Sequence, residues 1–299
     1  MNLHTPHAVR SVPLTVPSKP AEGAGRGIGQ ILVESGRLSA IDAERIGAFQ
    51  RETRARFGEA GRALGLLTED DLRFALSVQF DYPYMDEGSS LSHELVAAYQ
   101  PQSAQVEELR ALRSQLMLRW FSTAAEHRGL AIVSADRGEG RSYLAANLAI
   151  VFSQLGQRTL LIDADLRSGR QHQLFNLGKQ AGLSDMLAGR AGLQAVTPIP
   201  ALPELSVLPA GTQPPNPQEL LGRQPFQALL QSFGEDYDVV ILDTPAASHY
   251  ADAHTVAVRA GAALIVARQG MSSVPKLAQL THGLRDFGVG VLGSVLNQA

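Results

Sequence analysis

The chain has no cysteine among its 299 residues. Disulfides, thiolate metal sites and a cysteine nucleophile are excluded, and a reducing compartment fits. It also lacks any uninterrupted apolar run of the ~18 residues that a membrane-spanning helix needs. Residues 1–26 carry four prolines and no apolar stretch. They are expected to be a disordered tail and not a secretory leader. There is no basic surplus: the net charge is −3 and the pI about 6.2. A phosphate-backbone binder concentrates Lys and Arg, so nucleic acid is not expected as a partner. The eight histidines are scattered without metal-ligand spacing. What is present is a 44% hydrophobic composition, enough for one large domain with a sizeable core and a smaller one beside it.

An internal repeat comes first along the chain. Residues 28–50 and 57–79 align at a constant offset, pairing Ile28 with Phe57, Gly29 with Gly58, Gly36 with Gly65, Leu38 with Leu67 and Gln50 with Gln79. Each half suggests a short helix ended by Gly36 or Gly65, a polar cap at Ser39 or Thr68, and a second helix. Thr68-Glu69-Asp70-Asp71 has the capping-box form. Leu72, Ala75, Leu76 and Gln79 follow at helical spacing. Residues 27–85 are therefore expected to form a small helical two-repeat domain. Residues 86–104, with Gly88, Ser89, Ser90, Pro101 and Ser103, are expected to be a linker carrying a short helix near residues 93–98, and a charged amphipathic helix follows.

From residue 105 to the end the pattern changes. Apolar runs at 130–134, 159–163, 205–208, 239–242, 262–267 and 289–296 alternate with helical stretches. Such runs read as buried strands, so this part is expected to be α/β, a parallel sheet with helices on both faces. Ligands of such sheets sit at the carboxyl ends of the strands.

The acids and a Gly-rich loop all fall there. Ala135-Asp-Arg-Gly-Glu-Gly-Arg-Ser142 links the first run to a helix and is close to the P-loop pattern G-x-x-x-x-G-K-[ST]. Ala135 stands at the first Gly and Arg141 at the Lys. Gly138 and Gly140 let backbone N–H groups turn onto phosphate oxygens, and the helix N-terminus adds partial positive charge. A Gly-rich turn before a helix is also a common structural device. Asp163 and Asp165 end the second run, and Asp243 ends Val239–Asp243. Acids so placed suit Mg²⁺ or its waters; each alone is equally able to cap a turn, but the three elements in this order point to a nucleotide site.

These motifs resemble the bacterial tyrosine kinases that partner polysaccharide chain-length determinants. Asp163-x-Asp165-x-Arg167 resembles the second Walker motif of that family, and residues 239–245 its Walker B. Gly211-Thr-Gln-Pro-Pro-Asn-Pro-Gln-Glu-Leu-Leu221 matches a signature ahead of it. Glu107-x-x-Arg110-x-x-Arg113 matches the family's oligomerisation helix, a spacing that also suits a solvated amphipathic face. The resemblance implies ATP held by Asp136, Arg137, Gly138, Glu139, Gly140, Arg141, Ser142 and Tyr143. It implies Mg²⁺ organised by Ser142, Asp163 and Asp243, and a tyrosine hydroxyl oriented or deprotonated by Asp163 or Asp165, with Arg141 as catalytic cation. It implies a ring of subunits and a separate membrane-spanning chain-length-determinant protein as activator. The chain is then expected to be cytoplasmic, recruited to the inner face of the membrane. The last tyrosine is Tyr250, so a phosphorylated Tyr tail of the family kind is not expected.

Residues 27–85 resemble the N-terminal domain of type II secretion and pilus ATPases. Some of those bind cyclic di-GMP through repeated Arg-Leu-Gly motifs. Here the resemblance places such a site on Ile28, Gly29, Arg56 and Gly58, against a plain docking module with structural glycines. Two further readings of the whole chain stay open: a nucleotide-dependent regulator that transfers no phosphate, and a positioning ATPase of the partition type. The latter carries an extra Lys at the start of the loop, where this chain has Asp136.

Overall fold

The computed structural model describes residues 26–80, 85, 90–124 and 128–298. Residues 1–25 of the expected tail and part of the expected linker lie outside the described residues. The chain divides into two compact units between Tyr82 and Pro83.

The first unit is built from α1 (Ile28–Glu34), α2 (Ala40–Thr53), α3 (Phe57–Ala63) and α4 (Glu69–Gln79). The repeat is visible in its caps. Ser39 Oγ accepts from Asp42 N (3.0 Å), and Thr68 Oγ1 accepts from Asp71 N (3.1 Å) while Asp71 returns a bond to Thr68 N. Gly36 and Gly65 take the left-handed conformation that ends α1 and α3. The halves interlock, α1 packing on α4 and α2 on α3, around Leu32, Ile46, Ala60 and Ala75.

The second unit is a seven-stranded sheet. Its strands are β1 (Gly129–Ser134), β2 (Thr159–Asp163), β3 (Thr197–Ile199), β4 (Leu202–Leu208), β5 (Val239–Asp243), β6 (Ala262–Arg268) and β7 (Gly290–Asn297). The spatial order is β3-β4-β2-β5-β1-β6-β7. Six strands run parallel, and β1, β2 and β5 are buried almost throughout, as expected of a sheet covered on both faces. One correction is β3, which pairs antiparallel with β4 at the edge. Its three residues centre on Pro198, which an edge strand tolerates and a central one does not. The register sets Asp163 beside Asp243.

A second correction concerns residues 86–104. Leu95, Ala97, Ala98 and Tyr99 are buried in the core of the second unit. The short helix α5 (Val96–Tyr99) is pinned by Asn147 on α7 (Arg141–Ser153), whose Oδ1 accepts from Ala97 N (2.9 Å) and whose Nδ2 donates to Glu94 O (2.9 Å). The amphipathic helix α6 (Ala104–Leu116) lies against α7. Among the described residues no helix is long and apolar enough to cross a membrane.

Candidate nucleotide site

The strand β1 ends at Ser134 and the chain turns through residues 135–140 into α7. Two glycines make that turn. Gly138 has φ +76° and Gly140, at the N-cap of α7, has φ +98°. A Cβ at Gly140 would also lie 2.3 Å from Asn297 Nδ2. The loop wraps a cleft of about 230 Å³. Arg137, Gly138, Gly140, Arg141, Ser142 and Tyr143 line one side. Asp165, Arg167, Ser168, Arg170, Pro245, Ala246 and Tyr250 line the other. Four guanidinium groups border this one cleft at a helix N-terminus, a setting that suits an anion; of these, Arg170 also pairs with Glu94 (2.7 Å).

Two loop residues with carboxylates, Asp136 and Glu139, do not line it. Glu139 is fully buried. Its Oε2 accepts from Asp136 N (2.8 Å) and its Oε1 from the Ser272 hydroxyl. The Asp136 carboxylate pairs with Lys276 (2.9 Å) and accepts from Ser248 Oγ (2.7 Å), which hold it below the usual carboxylate range. The sequence placed both residues on ATP; the structure uses them to shape the loop and tie it to the segment after β6. Arg268 and Asn297 add bonds to Gly138 O (3.0 Å) and Glu139 O (3.2 Å).

Arg141 is the main surprise. It is 8% exposed. Its Nε donates to Thr244 O (2.8 Å), and its Nη1 donates to Asp136 O (2.8 Å) and to Ser134 Oγ. The guanidinium is braced between β1, the loop and the end of β5 while still bordering the cleft.

The three acids lie at and behind the cleft wall, Asp165 in its lining. Asp163 and Asp243 are fully buried and Asp165 nearly so. Asp163 accepts from Gln171 N (2.9 Å) and Asp165 N (3.3 Å). Asp165 accepts from Arg167 N and Ser168 N (3.1 and 2.9 Å). Burial pushes Asp163 well above the usual carboxylate range, and the neighbouring Asp243 adds to this. Burial raises Asp243 too, although Arg141, Ser142 and Gln171 pull against it. Asp243 Oδ1 is buried without a hydrogen-bond partner. A crowded acid pair with an unmet acceptor suits a divalent cation. Among the described residues no three His, Asp or Glu side chains close into a complete metal cage; Mg²⁺ characteristically takes one or two carboxylates plus substrate phosphates.

Several residues of the site carried no sequence motif. Asp252, fully buried, holds Arg167 through a two-point pair (2.7 and 3.3 Å). The Arg167 guanidinium lies 3.9 Å over the Tyr250 ring. Asp185 accepts from Gly182 N (3.1 Å), Thr212 N (3.0 Å) and Arg190, anchoring the loop that begins at Gly211.

The remaining predicted sites fare differently. Glu107 pairs with Arg110 along α6, while Arg113 Nη1 donates to Val151 O (2.8 Å) at the end of α7. The three side chains do not point together. In the first unit, a Cβ at Gly29 would lie 2.7 Å from the Phe57 ring, and one at Gly58 3.0 Å from Leu72. The Arg56 backbone N–H donates to Glu59 (3.1 Å) and opens α3. Helix packing accounts for these residues and for Ile28, which packs against the same core; no cyclic di-GMP site is assigned to them.

The family model described as cellulose biosynthesis protein BcsQ matches residues 129–287. The tyrosine-protein kinase Etk of Escherichia coli K12 is 36% identical over 202 residues, covering 68% of this chain and 28% of that kinase. The solved kinase domain of Escherichia coli ETK superposes with a TM-score of 0.65 at 34% identity, covering 69% of this chain and 80% of that one. The chimerical protein CapA2B2 gives 0.65 at 31% identity, covering 78% and 99%. This chain thus spans under a third of the length of the curated kinase it matches.

Proposed function

We propose, for a chain that belongs to the family of bacterial P-loop tyrosine kinases of polysaccharide chain-length control, that the cleft binds ATP with Mg²⁺ and passes the terminal phosphoryl group to a tyrosine hydroxyl. One observation carries the reading: a Gly-turned loop at a helix N-terminus and Asp165 line one Arg-rich cleft, and Asp163 and Asp243 lie buried beside that acid. The backbone N–H groups of Gly138, Gly140, Arg141 and Ser142 cradle the phosphates. Arg137 and Arg170 neutralise their charge from the rim. Ser142, Asp163 and Asp243 would hold Mg²⁺, which when bound would offset charge on the phosphate oxygens. Asp165 borders the cleft and orients the tyrosine. An O–P bond forms to the tyrosine, the bond to ADP breaks, and the hydroxyl proton passes to Asp165. Catalysis is positioning and charge neutralisation.

The further parts of this reading concern assembly. The 83–299 unit is the kinase unit, and the 27–80 repeat is a docking module. A membrane-spanning chain-length-determinant protein recruits the chain to the inner face of the membrane, and copies of the chain assemble with α6 at their contacts. The test is transfer by purified protein with Mg-ATP, with and without the cytoplasmic segment of such a partner. Intact mass and phosphotyrosine are read on both chains. Phosphotyrosine that disappears with Asp163→Ala supports the kinase; nucleotide binding without transfer in every arm overturns it.

The bracing of Arg141 favours a second reading, a nucleotide-dependent assembly regulator without transfer. A guanidinium held by Thr244 O and Asp136 O follows the migrating phosphoryl group less freely than a lysine ammonium. Transfer appearing only in Arg141→Lys decides for the regulator.

A further inference from the structure

One fully buried side chain of the site has no role in the mechanism above. Gln171 opens the short helix Gln171–Leu174. Its backbone N–H donates to Asp163 Oδ2 (2.9 Å). Its Nε2 donates to Asp243 Oδ2 (2.8 Å) and to Ser142 O (3.1 Å). A single residue therefore joins the ends of β2 and β5 to the start of α7. Its remaining group, the carbonyl Oε1, is buried without a hydrogen-bond partner, as is Asp243 Oδ1 beside it. Buried acceptors left unmet are rare in native proteins, and each calls for a donor. Two of them on neighbouring side chains, next to the carboxylate of Asp163, call for a donor that also brings positive charge. A hydrated divalent cation meets both needs, and a lone water meets only the first.

We propose that Gln171 is a positioning residue for the cation: its amide holds Asp243 in place, and its free Oε1 accepts from a water of the Mg²⁺ shell. The inference rests on the Mg-nucleotide reading of the site. It adds an outer-shell residue on which metal affinity depends.

The test uses the full chain as wild type, Gln171→Met and Gln171→Glu. Met fills similar space with neither donor nor acceptor. Glu keeps the Oε acceptor and loses the amide donor. Binding of N-methylanthraniloyl-ADP is titrated with Mg²⁺ from EDTA-treated protein, and unfolding midpoints are taken with ADP, with and without Mg²⁺. Gln171→Met is expected to raise half-saturating Mg²⁺ by about 10- to 100-fold, with metal-free ADP affinity held within about threefold. Gln171→Glu is expected to keep half-saturating Mg²⁺ at or below the wild-type value. A Met variant within about twofold of wild type overturns the proposal. So does a Glu variant as poor as the Met variant, because the residue is then only a structural tie to Asp243. Where the Met variant does not fold, the Glu variant decides. A Mg²⁺-induced rise in its midpoint at least equal to that of wild type supports the proposal, and a smaller rise overturns it. A wild-type chain that binds no Mg-ADP removes the reading of the site itself; wild-type binding with unaffected variants removes only the role of Gln171.

Discussion

The two units treat glycine and polarity in opposite ways. In the 26–80 unit, Gly29, Gly58 and Gly61 make room for Phe57, Leu72 and Leu67, and no polar or charged side chain is among its buried residues. In the 83–299 unit, Gly138 and Gly140 turn a loop around a cleft, and the buried polar residues include Glu139, Arg141, Asp163, Asp165, Gln171, Asp243 and Asp252. Burying charge is costly unless it is paired, bonded or used. Similar glycine spacing therefore has two origins, and buried polarity tells them apart: helix packing in the repeat, ligand chemistry in the sheet unit.

The contrast is broken most sharply in the sheet unit. Asp165→Asn is expected to lower phosphoryl transfer by about 10²–10⁴-fold while Mg-ATP affinity stays within a few-fold. Single-turnover transfer and equilibrium nucleotide binding separate the two. Transfer that survives in this variant moves the proton acceptor elsewhere. Glu139→Ala comes next. It leaves Asp136 N–H and the Ser272 hydroxyl without their partner and releases the phosphate loop. An unmet buried donor costs about 1–3 kcal/mol, so nucleotide affinity is expected to fall by roughly ten- to a hundredfold, read by calorimetry.

Much of this was open to sequence reasoning, and the rest was hidden for physical reasons. β1, β2, β5 and β6 are short apolar runs, and Asp163 and Asp243 stand where two of them end. Ser39 and Thr68 cap their helices as their spacing predicts. Local chemistry fixes these features. Glu139 was assigned to ATP and Gln171 belonged to no motif, because their burial depends on partners over 100 or 70 positions away, Ser272 and Asp243. Arg141 looked like a phosphate ligand, because nothing local announces its bonds to Thr244 O and Ser134 Oγ. The Pro- and Ser-rich flanks of 95–99 suggested a linker, and only Asn147 on α7 turns that stretch into core.

Asp185 gives a smaller effect with a definite pH signature. Burial pushes its carboxyl up, but bonds from Thr212 N, Gly182 N and Arg190 outweigh this and hold it below the usual value. A depressed folded value stabilises the protein above the unfolded value, near pH 4, and that contribution is lost as pH falls through the folded value. Asp185→Asn is expected to cost about 1–2 kcal/mol at pH 7, with the gap between the unfolding midpoints closing below about pH 4. A gap that stays constant with pH means the charge of Asp185 contributes nothing.

The smallest effect tests the other side of the comparison. In Gly29→Ala the new methyl group meets the Phe57 ring. Overpacking of this kind costs about 1–3 kcal/mol, but alanine regains about 1 kcal/mol of helix propensity. The ring edge can also swing aside. The net loss is expected to be about 1 kcal/mol or less, read as faster amide exchange across 28–79 in the full chain. Mg-ATP affinity and transfer should not change. If transfer falls with Gly29→Ala while exchange does not, packing fails to explain the glycine, and the repeat holds a site coupled to the kinase unit.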